Sequence, residues 1–369
     1  MIRVELRDRD FNLLEILDRE YLRLGWSYSA IGGCGGFGFG LPRKLFEEKS
    51  ISGDFNIQIK WKNPDTNVFD LWYQGLVEDK KPKVEGNKED IQISGHGYSV
   101  QLDRIYINQT FTSTEVSEIV ASIVGTDVAA DTNIIYDASL ISTTSFTPDT
   151  LDFNDTAESA ISKCAEIVGG IEWGVDRDRK FFFKPKETTV GLRFPFGKNI
   201  TNFSEDIDFR SIVNRAVVQG AQVGGTYYTN TYNKDDSQLK YNLRSLVLSN
   251  SSIVTDAVAS QYATAYFAEY ATPQRRANCE LIGYDGLLEA TTPLPLVNLI
   301  AREITYGTKK YGTFLYSGFI DRQINRISYR VRSKESIKMT LEFGKIRPAL
   351  SEQFNRIEYN LDQQRSAAL

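Results

Sequence analysis

Residues 69–107 read FDLWYQGLVEDKKPKVEGNKEDIQISGHGYSVQLDRIYI, a strand, a turn and a returning strand. Trp72, Gly75, Leu76 and Val77 end the first run, Ile91, Ile93, Tyr98, Val100 and Leu102 carry the return, and polar residues from Glu78 to Asp90 fill the turn. Residues 314–348, FLYSGFIDRQINRISYRVRSKESIKMTLEFGKIRP, follow the same plan. Tyr73-Gln74-Gly75-Leu76-Val77-Glu78 lines up with Tyr316-Ser317-Gly318-Phe319-Ile320-Asp321, each Tyr-x-Gly preceding two apolar residues, an acid and a basic, polar segment. The match frames the chain as two copies of one β-domain.

Outward from these stretches, 369 residues exceed one core and predict roughly two to four units. With 19 Tyr and 21 Phe beside many Val, Ile and Thr, the composition leans to β-structure. A formal charge of -5 argues against a simple nucleic-acid binder, which shows a basic face. The opening MIRVELRDRDF has no apolar segment of a secretory signal, and no apolar run approaches ~18 residues, so no membrane span is expected. Cys34, Cys164 and Cys279 are far apart, odd in number and free of any C-x-x-C, which favours buried free thiols in a reducing cytoplasm. The single histidine, His96, rules out two-histidine metal sites, and any Ser-His-Asp or Cys-His mechanism would have to use it. Its setting, Ser94-Gly95-His96-Gly97-Tyr98, reads as a strand bend or bulge. No catalytic, metal or cofactor site is expected.

Gly33-Cys34-Gly35-Gly36-Phe37-Gly38 matches G-x-G-x-x-G. A phosphate site needs a helix opening at that loop, and Gly38, Gly40 and Pro42 disfavour one, while no G-K-S/T follows. A sharp bend or tight backbone contact is the expectation. Strands are expected at 2–6, 19–30 and 54–61. Thr112 with Glu115 predicts a capped helix over 112–125, closed by Gly125, and Asp155 opens another to Val168, stopped by Gly169-Gly170. Strands at 171–175 and 180–184 flank Asp176-Arg177-Asp178-Arg179, whose acids favour a turn, cation binding being the alternative. A strand at 212–219, a Tyr- and Asn-rich surface loop or hairpin at 224–243, an Ala-rich helix at 255–270 and strands at 277–283, 296–304 and 313–320 follow. Leu350, Phe354, Ile357 and Leu361 form one helical stripe in 349–361, to pack on its own domain or dock a partner.

Several pieces in order carry a family resemblance. They are a β-domain ending in Gly97-Tyr98-Ser99-Val100-Gln101-Leu102-Asp103-Arg104, a helical passage, Ile171-Glu172-Trp173-Gly174-Val175-Asp176 with its aromatic return strand, Ser211 to Gly220 (SIVNRAVVQG), an Ala-rich helix, and a β-segment ending in Leu341-Glu342-Phe343-Gly344. This order resembles the tail hub or baseplate hub proteins of tailed bacteriophages and related injection machines, over roughly Ile2 to Arg347. The resemblance implies a mainly β chain with α+β insertions: two tail-tube-like β-barrel domains plus smaller peripheral α/β domains. The expected layout is a first barrel at 1–104, an α/β domain at 105–205, a second barrel from 206–224 and 272–348, an excursion with the Ala-rich helix at 225–271, and a C-terminal helix and tail at 349–369.

It also implies a non-enzymatic homotrimer. Six barrel domains would form a ring in the virion tail tip or baseplate, assembled in the host cytoplasm, that joins the tail tube to the tip and lets genomic DNA pass. The implied neighbours are a tail tube or distal tail protein, a tape measure protein and tail-tip or spike proteins. The net negative charge suits a conduit, since a basic lumen would hold phosphates. Two other classes stay open. One is a β-rich receptor- or glycan-binding adhesin using Tyr227, Tyr228, Tyr232 and Tyr241. The other is a cell-wall hydrolase, which needs two carboxylates roughly 5–9 Å apart across a cleft. Glu166, Glu172, Asp176 and Asp178 carry no motif for it.

Overall fold

Alternation of apolar and polar residues builds most of the chain into strands that bury one face. The structure, a computed structural model, describes residues 2–18, 20–48, 55–63, 65–85, 88–195, 199–223, 226–250, 253–281, 290–300, 304–306, 309–311, 319–331 and 337–344. The mainly β character expected from the sequence is what the chain has.

The first unit contains β1 (Ile2–Arg7), β2 (Leu13–Leu17), β3 (Leu22–Ser29), β4 (Ile31–Pro42), α1 (Arg43–Glu48), β5 (Asn56–Lys62), β6 (Phe69–Glu85) and β7 (Lys88–His96). Its strands lie in the order β3-β4-β7-β6-β5-β1-β2. Leu24, Trp26 and Tyr28 of β3, Phe37, Phe39 and Leu41 of β4, and Ile57 and Ile59 of β5 point into one core. The turn expected over Glu78–Asp90 is mostly strand, with Val77↔Gly95 through Glu85↔Lys88 in register apart from one β-bulge at Glu78.

An α/β layer follows, with β8 (Tyr106–Thr112), α2 (Val116–Ser122), β9 (Thr150–Thr156), α3 (Ala157–Val168), β10 (Ile171–Val175) and β11 (Phe181–Pro185). Helix α2 starts later than Thr112 because the Glu115 side chain caps it, accepting from Ser117 N at 3.1 Å. Gly125 does not close the helix but lies inside the π-helical turn Ile123–Val128 that continues it. Thr156, not Asp155, caps α3, and Asp155 instead accepts the Ser159 hydroxyl at 2.6 Å. Phe181 and Phe183 face the core of this layer while Phe182 faces that of the β-units, so the aromatic run is buried on both sides.

The remaining strands are β12 (Val190–Pro195), β13 (Ile200–Asp208), β14 (Arg215–Val223), β15 (Thr226–Asn233), β16 (Ser245–Ser249), β17 (Gln274–Leu281), β18 (Leu296–Ile300), β19 (Ile304–Tyr306), β20 (Lys309–Tyr311), β21 (Phe319–Val331) and β22 (Ile337–Phe343). Helices α4 (Asp235–Tyr241) and α5 (Asp256–Tyr270) lie among them. Strands β13-β17-β22-β21-β18 are neighbours in that order, β12 pairs β18, and β21 pairs β3, joining both units in one sheet. In chain order β3, β4, β5, β6, β7 therefore match β13, β17, β18, β21, β22, with the same neighbours. The bulge recurs as well: the register slips at Glu78 in β6 and at Asn325 in β21.

That register corrects the sequence alignment. Leu76 is the last β6 residue paired with β5 and Gln323 the last β21 residue paired with β18, so these two are equivalent, not Leu76 and Phe319. Tyr316 and Gly318 of the expected motif lie outside the described residues, as do the whole 349–361 stripe and parts of 314–348. The boundaries shift too. Strands β12 and β13, expected in the α/β domain at 105–205, pair with β18 and β17 of the second unit. Strand β14, expected in the second barrel at 206–224, belongs to a separate sheet, β15-β14-β16. Of the loop or hairpin expected at 224–243, the hairpin is what forms: β15 returns antiparallel on β14, and α4 follows it. Pairing between residues far apart in the chain decides these memberships, and local patterns do not carry it.

Candidate functional site: a polar groove where the two units meet

The strands that bury Trp26, Phe37, Ile93, Ile327 and Leu341 on one face present the intervening residues on the other. Across β22, β21, β3, β4 and β7 that second face carries Lys338, Thr340 and Glu342, then Arg326, Ser328 and Arg330, then Arg23, Gly25 and Ser27, then Gly36 and Gly38, then Gln92, Ser94 and His96. They line a groove of about 730 Å³ over the β21·β3 junction. The floor is side-chain-poor because Gly38 stands between Gly25 and Ser94, and Gly36 opposite His96. Arg23, Arg330 and Lys338 charge one side, Glu78 and Asp79 the other, and Glu342 sits opposite Arg326. Arg326 Nη2 donates to Ser27 Oγ across the junction at 3.2 Å. Below the floor Trp26 and Tyr329 stack at 4.9 Å and 13°, a pairing that adds about 1 kcal/mol to the burial of both rings.

His96 lies on this face, half-exposed, with Nδ1 2.6 Å from Glu78 Oε2, and Arg104 Nη2 reaches the other Glu78 oxygen at 3.2 Å. Through Glu78, which stands at the bulge of β6, these contacts tie β6 to His96 of β7 and to Arg104. Burial pushes the Cys34, Cys164 and Cys279 thiols up to about 12, which keeps them protonated.

The glycine-rich run is strand β4, with no phosphate loop. Strand β10 runs parallel to its start, pairing Gly174 with Gly32 and Val175 with Gly33. A Cβ on Gly33 would fall 2.1 Å from the Val175 carbonyl oxygen, and Gly33 has φ +72°. Close backbone contact is thus what the glycines allow. Asp176 Oδ1 accepts from the backbone N–H groups of Asp178 and Lys180 at 2.8 and 2.9 Å, which makes the Asp176–Arg179 segment a turn. Among the described residues no cluster of three metal-ligating side chains exists.

Glu172, named only as an unplaced acid in the sequence, is buried where β10 meets the second unit. Its carboxyl accepts from Leu294 N at 2.9 Å and Gln323 Nε2 at 3.0 Å. Burial raises its pKa to about 7 against the pull of those donors and Lys186. Tyr228 and Tyr232 are tied at 3.0 and 2.6 Å to Asp256 at the start of α5, so they anchor β15 to the helix instead of forming an open stacking platform. The groove residues on β3, β21 and β22 escaped the sequence reading. Their signal was the polar partner in each alternation, Arg23-x-Gly25-x-Ser27 or Lys338-x-Thr340-x-Glu342.

No family model and no curated protein matches the chain. Solved structures do. The 43 kDa tail protein of prophage MuSo2 from Shewanella oneidensis aligns with a TM-score of 0.63 and 12% identity, over 92% of this chain and 98% of that one. A tail protein from Neisseria meningitidis MC58 aligns at 0.65 and 11%, over 93% and 96%. Prophage tail protein gp18 from Listeria monocytogenes EGD-e aligns at 0.58 and 15%, over 98% and 99%. At such identities the likeness is one of fold, and it spans whole chains.

Proposed function

We propose that this chain, which has the fold of two prophage tail proteins and a further tail protein, is the structural hub of a phage tail tip or baseplate. Three copies form a ring of six β-units that joins the tail tube, directly or through a distal tail protein, to tip or spike proteins. The tape measure protein ends at this ring, and genomic DNA passes through it at ejection. The protein has no catalytic role, is assembled in the host cytoplasm and resides in the virion.

The observation that carries the reading is the repetition of one five-strand order within one chain, joined by the β21·β3 pairing. A chain that already sets two like units side by side supplies two sixths of such a ring, and the remaining contacts are heterologous ones that close by rotation. The mixed charge of the groove face supports passage over clamping, because Arg23, Arg326, Arg330 and Lys338 are offset by Glu78, Asp79 and Glu342. Native mass spectrometry of the full chain is the test, with a trimer expected. A chain that stays monomeric at high concentration and with its tail-tube neighbour overturns the ring.

A further inference from the structure

The small sheet β15-β14-β16 ends on β16, a strand without the usual safeguards of an edge. Strand β16 runs parallel to β14, Ser245 to Ser249 beside Arg215 to Gln219, and pairs no other strand among the described residues. Sheets blunt a free edge with lysine, proline, inward charges or a covering element. The ends of the large sheet carry such charges: Glu15 on β2, and Glu205, Asp206 and Asp208 on β13. Between Ser245 and Ser249 the sequence SLVLS has neither charge nor proline.

The hydrogen bonds of β16 show which backbone groups face outward. Arg215 N donates to the Arg244 carbonyl at 3.0 Å, and Asn250 N donates to the Gln219 carbonyl at 2.9 Å, so Arg244 and Asn250 turn to β14. A strand turns successive residues to opposite sides. Ser245, Val247 and Ser249 therefore point their N–H and C=O groups to the open edge. Apolar side chains lie on both faces of that edge. Leu248 is buried in the core of the α/β layer, Leu246 on the same face is 39% exposed, and Val247 on the other face is 57% exposed. Leu239 of α4 and Leu243, in the connection that leads into β16, are exposed as well. Apolar side chains gathered in the open along one edge mark an interaction surface.

We infer that β16 receives an extended segment of another protein as a further strand of this sheet. Main-chain hydrogen bonds to the open edge supply the affinity, and alternate side chains supply the choice of partner. The site is complete in one chain, so it stands apart from the ring. Apolar residues at every second position of the segment would lie beside Leu248 and Leu246 and extend the buried face. Charge selects the next position on that face. Arg244, exposed at the head of β16, has no partner for its guanidinium among the described residues. Antiparallel pairing is the more stable kind per residue, and it brings the C-terminal end of the segment to Arg244, where an acidic residue fits. A second copy answers this poorly, because β16 laid against β16 brings no acid to Arg244.

The probe is the amidated hexapeptide TVTVTE with fluorescein at its N-terminus, titrated with the full chain and followed by fluorescence anisotropy. Paired antiparallel, its valines fall opposite Leu248 and Leu246 and its glutamate opposite Arg244. Expected is saturable binding with a Kd of about 1 mM or tighter, and roughly tenfold weaker binding of TVTVTK. Arg244→Glu, on the surface, should reverse that order. Val247→Pro removes one outward N–H, leaves the bonds to β14 in place and should abolish binding of both peptides. No binding of TVTVTE, or binding indifferent to both substitutions, overturns the site. Copies of the chain that associate without peptide and come apart in Val247→Pro put a second copy on the edge and overturn the foreign strand.

Discussion

Glu172 and Gly33 show what single residues contribute. The Glu172 carboxyl titrates near 7 in the fold against about 4.3 in an unfolded chain, so the folded state holds the proton more tightly. The stability this adds is present in full below the unfolded pKa and is lost as pH rises through about 7, amounting to about 4 kcal/mol. Urea unfolding of the Glu172→Gln variant should therefore show a shallower loss between about pH 5 and pH 8 than the native protein; parallel pH profiles would refute this. Gly33→Ala forces a Cβ against the Val175 carbonyl at positive φ and should cost on the order of 3 kcal/mol. Gly38→Ala, whose Cβ would meet its nearest atom at an ordinary 3.8 Å, should unfold within about 1 kcal/mol of the native protein. The sequence flagged the glycine run as a site of tight backbone contact, but the partner, Gly174 on β10, is more than a hundred residues away and left no local trace. The burial of Glu172 was equally silent, because Ile171-Glu172-Trp173 alternates like any half-exposed strand.

At the level of elements, alternation revealed the strands and 3.6-residue spacing the helices, since each depends on which side chains share a face. Register was not legible. The two hairpins were found from a Tyr-x-Gly match, yet the bulges at Glu78 and Asn325 define the true equivalence, and a bulge has no signature in these residues. Membership of a sheet was lost where a strand reaches past intervening elements, as β12 and β13 do to β18 and β17. The β21·β3 junction depends on Tyr329, which stacks on Trp26 and meets Trp72 edge-on at 5.9 Å. Tyr329→Ala should destabilise the fold by about 3 kcal/mol in chemical denaturation. A double-mutant cycle with Trp26→Ala should return a coupling of about 1 kcal/mol. Additive losses would remove the stacking from the account.

For the whole molecule, the separation of roles is visible in its two cores, one shared by both β-units and one in the α/β layer. The β21·β3 pairing has a further consequence, for synthesis. Residues 25–29 leave the ribosome some three hundred residues before their partners at 326–330, a delay on the order of half a minute. During that time β4 can cover one edge of β3, but the other edge, carrying Trp26 and Tyr28, waits uncovered. The nascent chain thus passes through a state open to mispairing with its neighbours on the same messenger. Closure of the junction between the units should be the slow, late event in its folding, as expected where contacts span most of a chain.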